Sequence, residues 1–398
     1  MDKDPIFHRP ELAARLTSAL LGNDPLSSAG QSGLFLSAPR RTGKSTFLRN
    51  DLIPAIEQAG AIAIYVDLWA DRTRDPGELV ADAVRDTLAL QANKLLGALR
   101  ALKRIKKAGA KGELAGFRAE FGFELETVGQ SKGTTLTKAF EALHGRVKKP
   151  IVFVLDEAQH ALSSSRGFDT LFALKAARDA LNLTSGRPQL AILATGSARA
   201  KIADMVMRKS EPFYGASTET FPQLDESFVA HFAKQLLSRR IAEHRMPQRE
   251  QLMTAFRMLG SRPEDLRKAI RDALVRSEPD LGEAIVAAAH ELRNTIREEV
   301  RKQLAALSAL QRAIVKRMVE SGDGPSAFSK DSIAYYRKET GEHSVSTSMA
   351  QKAMKALVAR GFVWRSSRGV YALDDTTIAE LFYEDRVEEA LLRNLTGR

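Results

Sequence analysis

Apolar positions along this chain fall into two textures. Short unbroken runs, LFL at 34–36, AIAIYVDLW at 61–69, IVFVL at 151–155 and QLAILATGS at 189–197, have the composition of strands buried on both faces. Elsewhere apolar residues recur every three or four positions, as at Leu12, Leu16 and Leu20 near the start and Leu310, Ile314 and Met318 near the end. That is helical spacing. Strands alternating with helices predict a parallel α/β sheet, and a short edge strand near 218–221 brings the strands to five. Helices follow over 228–277, broken at Leu259-Gly260-Ser261-Arg262-Pro263, and an Ala-rich helix over 281–307 reads as a connector. Beyond 308 the order is helix, Gly-Pro loop at 322–325, helix at 333–337, helix at 344–359, then two short strands at 362–365 and 369–373. This is the order of a winged helix-turn-helix. Three domains are expected: a core over 1–224, a helical lid and connector over 225–300, and the winged helix over 301–398.

The candidate chemistry sits where two of the strands end. After the first, the loop Ala38-Pro39-Arg40-Arg41-Thr42-Gly43 runs into Lys44-Ser45-Thr46. This fits the phosphate-binding pattern G-x-x-x-x-G-K-[ST] with alanine at the first glycine. Gly43 lets backbone amides at a helix N-terminus approach phosphate oxygens, Lys44 supplies a charge to the β- and γ-phosphates, and the Ser45 hydroxyl is a hard ligand for Mg²⁺. The third strand runs directly into Asp156-Glu157. Asp156 suits Mg²⁺ or its water shell, and Glu157 suits polarising an attacking water. Thr195 or Ser197, ending the fourth strand, reaches a γ-phosphate or that water if its strand lies between the two motif strands. Arg208, in the Arg208-Lys209 pair, is a cation for a γ-phosphate, its own or a neighbour's. The lead-in Ile6-Phe7-His8-Arg9 either packs on a base or forms part of a helical cover for the sheet. Asp67 is either a support for the site or a loop cap, and His160 reads as a loop histidine, with no second ligand near it in sequence.

Charge widens the field of partners. Sixty Lys and Arg against forty-nine Asp and Glu leave a formal charge of +11, which suits DNA or another polyanion, or belongs to a chain that is simply basic. Between 94 and 118, eight Lys or Arg stand against one acid beside Leu95, Leu99 and Leu102, a basic amphipathic helix within an insert over about 90–130. FGFELE at 121–126 has the alternation of a short strand. Zero cysteines exclude disulfides and thiolate chemistry. With no long apolar run and no apolar signal core at the start, a cytoplasmic location is expected.

Together APRRTGKST, IVFVLDEAQ, ILATGS, EPFYGAS, LGSRPEDLRKAI and the terminal winged helix resemble the AAA+ and STAND-like P-loop ATPases. The likeness is to the archaeal-type ATPase family in particular, and more distantly to the origin-recognition initiator ATPases. The resemblance implies ATP or ADP with Mg²⁺ as cofactors, Lys44 and Ser45 as phosphate and magnesium residues, and Asp156 with Glu157 as the acidic pair. It implies Thr195 or Ser197 as first sensor, and Arg262 or Arg267 as second. Family members often carry an arginine after the tyrosine-glycine pair. Here Ala216 follows Tyr214-Gly215, so Arg208 stands in for it. The implied function is a slow ATPase switch on DNA, able to form a nucleotide-dependent homo-oligomer. The alternative is a signalling or defence regulator whose nucleotide state controls assembly with a protein partner.

Overall fold

A computed structural model describes residues 6–38, 41–71, 73–103, 135–183, 185–197, 199–234, 241, 246–276, 280–321, 326–367, 370–373, 377–379 and 381–382. Its centre is a five-stranded parallel sheet of β1 (Leu34–Ser37), β2 (Ile62–Asp67), β3 (Ile151–Asp156), β4 (Leu190–Gly196) and β5 (Ser217–Thr220), in the order β2-β3-β4-β1-β5. β3 and β4 are buried at every residue because each has a strand on both sides and helices on both faces. β2 and β5 lie at the edges and alternate between more and less buried positions.

Strand parity sorts the side chains. Ile151, Phe153 and Leu155 of β3 join Ile192 of β4 on one face, under the helices Leu136–Val147, Ser165–Asn182 and Arg199–Met207. Val152 and Val154 join Leu193 on the other, under Pro10–Leu20 and the helix that starts at Lys44. Two residues further along the same parity come Asp156 and Thr195. Both therefore belong to the face that carries Lys44.

The helix from Lys44 runs through Lys44–Phe47, a π turn at Leu48–Leu52 and Ile53–Gln58. Pro54 lacks the N–H that a continuous α-helix would bond, and the wider π turn before it takes up the mismatch. A separate core formed by Phe228, Leu252, Phe256, Leu266 and Ile285 lies among Glu226–Phe232, Arg249–Met258, Pro263–Arg276 and Leu281–Ala305, with Phe7 and Leu224 against it. A further core gathers Ile314, Tyr336, Met354 and Leu357 from Ala309–Ser321, Lys330–Thr340 and Thr347–Ala359. An antiparallel hairpin follows, β6 (Val363–Ser367) with β7 (Val370–Leu373), and β6 lies beside Arg199–Met207.

The second strand stops at Asp67, two residues short of the apolar run, because the Asp67 carboxylate accepts the Trp69 N–H and turns the chain. The basic stretch 94–118 enters the helix Pro76–Lys103, and its remainder lies outside the described residues, as does FGFELE at 121–126. No helix among the described residues is long and apolar enough to cross a membrane.

Candidate functional site

The C-terminal edge of the sheet gathers the motif residues, because parallel strands all end on the same side. Gly43 has φ 84°, in the left-handed region where a side chain is strained, and it precedes the helix that starts at Lys44. The Lys44 side chain is buried, with Nζ 2.9 Å from Glu157 Oε1 and 3.5 Å from Asp156 Oδ1. β4 lies between β3 and β1, which brings Thr195 and Ser197 between the two motif strands.

Asp156 is fully buried and held at both oxygens. Oδ1 accepts from the Glu157 N–H at 3.1 Å and from the Thr195 hydroxyl, and Oδ2 accepts from the Tyr65 hydroxyl at 3.1 Å. Glu157 has φ 54° and ψ 44°, an uncommon conformation for a non-glycine residue that costs on the order of 1 kcal/mol. This twist ends β3 as Glu157 Oε1 reaches Lys44. Oε2 accepts from the Ser197 hydroxyl at 2.7 Å, the Ser197 N–H at 3.3 Å and the Gln159 amide.

Burial raises the Glu157 pKa, but the Lys44 charge and the bonds from Lys44, Gln159 and Ser197 outweigh it and hold the group at about 2, against an ordinary 4.5. A carboxylate whose folded pKa is depressed stabilises the fold above its unfolded pKa, and that contribution is lost as pH falls towards the folded value. Melting temperature should therefore drop between about pH 4.5 and 2 more steeply in the wild type than in Glu157→Gln, and parallel curves would contradict this placement of the charge.

Two cavities meet at the loop. One of about 460 Å³ is lined by Lys44, Ser45, Thr46, Asp67, Trp69 and Glu157. The other, about 540 Å³, is lined by Phe7, Arg9, Phe47, Phe228, Phe232 and Arg267. Arg41, Thr42, Gly43 and Thr46 line both. One half is thus charged and polar, while the other sets phenylalanine rings beside Arg9, Arg41, Glu264 and Arg267, with each volume in the range of small-ligand pockets. The donor set fits a phosphate group with a hard cation: a buried lysine, a left-handed glycine before a helix, the Ser45 hydroxyl and a buried carboxylate.

The remaining residues expected from the sequence fall at varied distances from this centre. Ala38 is buried, and its N–H donates to Gly196 O at 3.2 Å, tying the loop to β4. Pro39 and Arg40 lie outside the described residues. Arg41, at φ 65°, reaches across to Glu264 at 3.6 Å and Asp265 at 3.7 Å, at the start of Pro263–Arg276. Arg9 donates to Pro222 O at 2.8 Å and sits 5.0 Å from the Phe221 ring centre, while Pro10–Leu20 covers the sheet. The lead-in thus runs into a helical cover for the sheet, with Phe7 and Arg9 on the lining of the second cavity. Arg267 lies 5.8 Å from the Phe232 ring centre, and Arg262 lies 4.0 Å from Asp265 and lines neither cavity.

Arg208 is exposed, pairs with Asp204 at 2.6 Å and lines neither cavity of its own chain. Asp67 both caps its loop and accepts from Arg49 at 3.1 Å, and the His160 ring stands 4.0 Å from that of Trp69. Sequence reasoning missed Tyr65 and Gln159. Parity puts Tyr65 on the same face as Asp67, two residues later, but its partner Asp156 follows only from the register of β2 with β3. Gln159 depends on a 3₁₀ turn at Ala158–Ser163 that no apolar pattern announces.

No family model and no curated protein matches the sequence. Among solved structures, the chain is similar to a Walker-type ATPase of Pyrococcus abyssi at 18% identity, covering 95% of this chain and 96% of that one, with a TM-score of 0.53. It is also similar to the ORC2 protein of Aeropyrum pernix in its ADP form at 14% identity, covering 98% and 96%, with a TM-score of 0.54. At such identities the likeness speaks for architecture alone: this chain shares the fold of these two proteins, built in its own case on a five-stranded parallel sheet with a phosphate-loop motif after β1.

Proposed function

We propose that the protein binds and hydrolyses Mg-ATP as a molecular switch and acts on DNA. The observation that carries the reading is Lys44, buried between the loop of Gly43 and the Asp156-Glu157 pair, with Thr195 and Ser197 bonded to those same carboxylates. Triphosphate enters the polar cavity, and the base lies among Phe7, Phe228 and Phe232. The ADP carried by the Aeropyrum protein supports a nucleotide in a fold of this kind.

Lys44 exchanges Glu157 for phosphate oxygens. The carboxylate so released loses the charge that holds its pKa near 2, and it becomes a better acceptor for the proton of an attacking water. Ser197 and Gln159 keep it aimed, and Thr195 holds Asp156. Magnesium, held by Ser45 and Asp156, would neutralise phosphate charge. Arg267 is the better placed second sensor, since it lines the base-side cavity. Arg208 serves a neighbouring copy in a nucleotide-dependent assembly.

We read the helices Ala309–Ser321, Lys330–Thr340 and Thr347–Ala359 and the β6-β7 hairpin as a winged helix. Ser346, Ser348, Gln351, Lys352 and Lys355 are all exposed along Thr347–Ala359 and its cap, and they suit phosphates and base edges. Fluorescence anisotropy on a duplex should give affinity that falls with salt, and Lys352→Ala/Lys355→Ala should flatten the log-log slope by about two. Binding without a negative slope, or none at low salt, would sink the DNA reading. A second reading, a regulator that assembles with a protein partner, is favoured by the seating of β6 against Arg199–Met207. A stable protein companion on purification would support it.

A further inference from the structure

The buried member of the acid pair, Asp156, is braced from a direction that the two sequence motifs do not include. Asp156 Oδ1 is fixed by the Glu157 N–H and the Thr195 hydroxyl, while Oδ2 accepts from the Tyr65 hydroxyl at 3.1 Å. The terminal torsion of an aspartate is soft, so the orientation of its carboxylate is set by what bonds each oxygen. Tyr65 reaches it because β2 pairs with β3 in parallel, Asp67 opposite Asp156, and parity turns Tyr65 to the face that carries the Lys44 helix.

The ring is held in turn. The Arg49 guanidinium lies 4.9 Å from its centre, and Arg49 donates to Asp67 at 3.1 Å, whose other oxygen accepts the Trp69 N–H at 2.9 Å. Arg49 belongs to the π turn of the helix that Lys44 begins. One chain of contacts therefore ties the lysine's helix, the second strand and the carboxylate of the third.

We propose that Tyr65 is a positioning residue for the magnesium edge of the site. It locks the rotation of Asp156 so that this carboxylate is ready for a hydrated cation, with Arg49 holding the tyrosine ring. The inference rests on the Mg-ATP reading above and adds to it the residue that sets how well the metal binds. Removing a group that orients a ligating carboxylate costs about 10- to 100-fold in metal affinity or activity.

The test uses the full chain with Tyr65→Phe, which keeps the ring under Arg49 and removes only the hydroxyl. Manganese binding in the presence of a non-hydrolysable ATP analogue, followed by electron paramagnetic resonance, should weaken at least about tenfold. Affinity for ATP without divalent metal should stay within about twofold, and kcat should fall about tenfold with KM unchanged. Arg49→Met, which leaves the hydroxyl in place, should give a smaller loss in the same metal titration. Equal manganese affinity in Tyr65→Phe and wild type overturns the inference. So does an equal loss of metal-free nucleotide binding, which marks a merely structural part. If the wild type itself binds no nucleotide, the parent reading falls instead.

Discussion

Lys44→Ala is expected to remove ATP binding, with a loss above about 100-fold, or about 2.7 kcal/mol. The lysine is nearly inaccessible to solvent and faces two carboxylates, at 2.9 Å and 3.5 Å. Without it, the phosphates meet two uncompensated negative groups in place of one shared cation. The fold is expected to suffer as well, since removing one partner of a buried ion pair costs about 3–5 kcal/mol. Lys44→Arg should not restore binding, because a planar fork does not replace a compact ammonium in this space. Calorimetry on both variants decides the matter: affinity within about threefold of wild type in Lys44→Ala would remove the lysine from the phosphate site.

Glu157→Gln should separate binding from turnover. The amide still accepts at its carbonyl oxygen and keeps the volume, but it cannot take a proton from water. General-base groups contribute about 10²- to 10⁴-fold, so phosphate release should fall by at least about 100-fold. ATP affinity should hold or improve, because the variant no longer competes for Lys44. Unchanged turnover would end the assignment of Glu157 as the group that activates water.

Much of this was legible in the sequence because it rests on period and neighbourhood. The five strands, the phosphate loop and the acidic pair are local signals, and parallel pairing then places strand ends on one edge. Asp156 and Glu157 carry an explicit motif, yet their support does not. Tyr65 sits in the middle of an apolar strand, where a tyrosine reads as core, and only the register of Asp67 with Asp156 brings its hydroxyl to the carboxylate. Gln159 follows the motif by two residues, but its reach to Glu157 needs the left-handed twist at that glutamate. Arg41 looked like one basic residue of the loop, and its tie to Glu264 and Asp265 depends on how a helix some 220 positions later folds over it. Arg208 shows the converse: a basic pair is plain in the sequence, but its direction is set by Asp204, one helical turn earlier.

A crystal structure of the full chain with a non-hydrolysable ATP analogue and magnesium bears on all of these assignments at once. The expected result is a triphosphate in the cavity of Ser45 and Lys44, with the Lys44 amine drawn from Glu157 onto phosphate oxygen. An analogue seated elsewhere, with the 2.9 Å contact between Lys44 and Glu157 still closed, would contradict it.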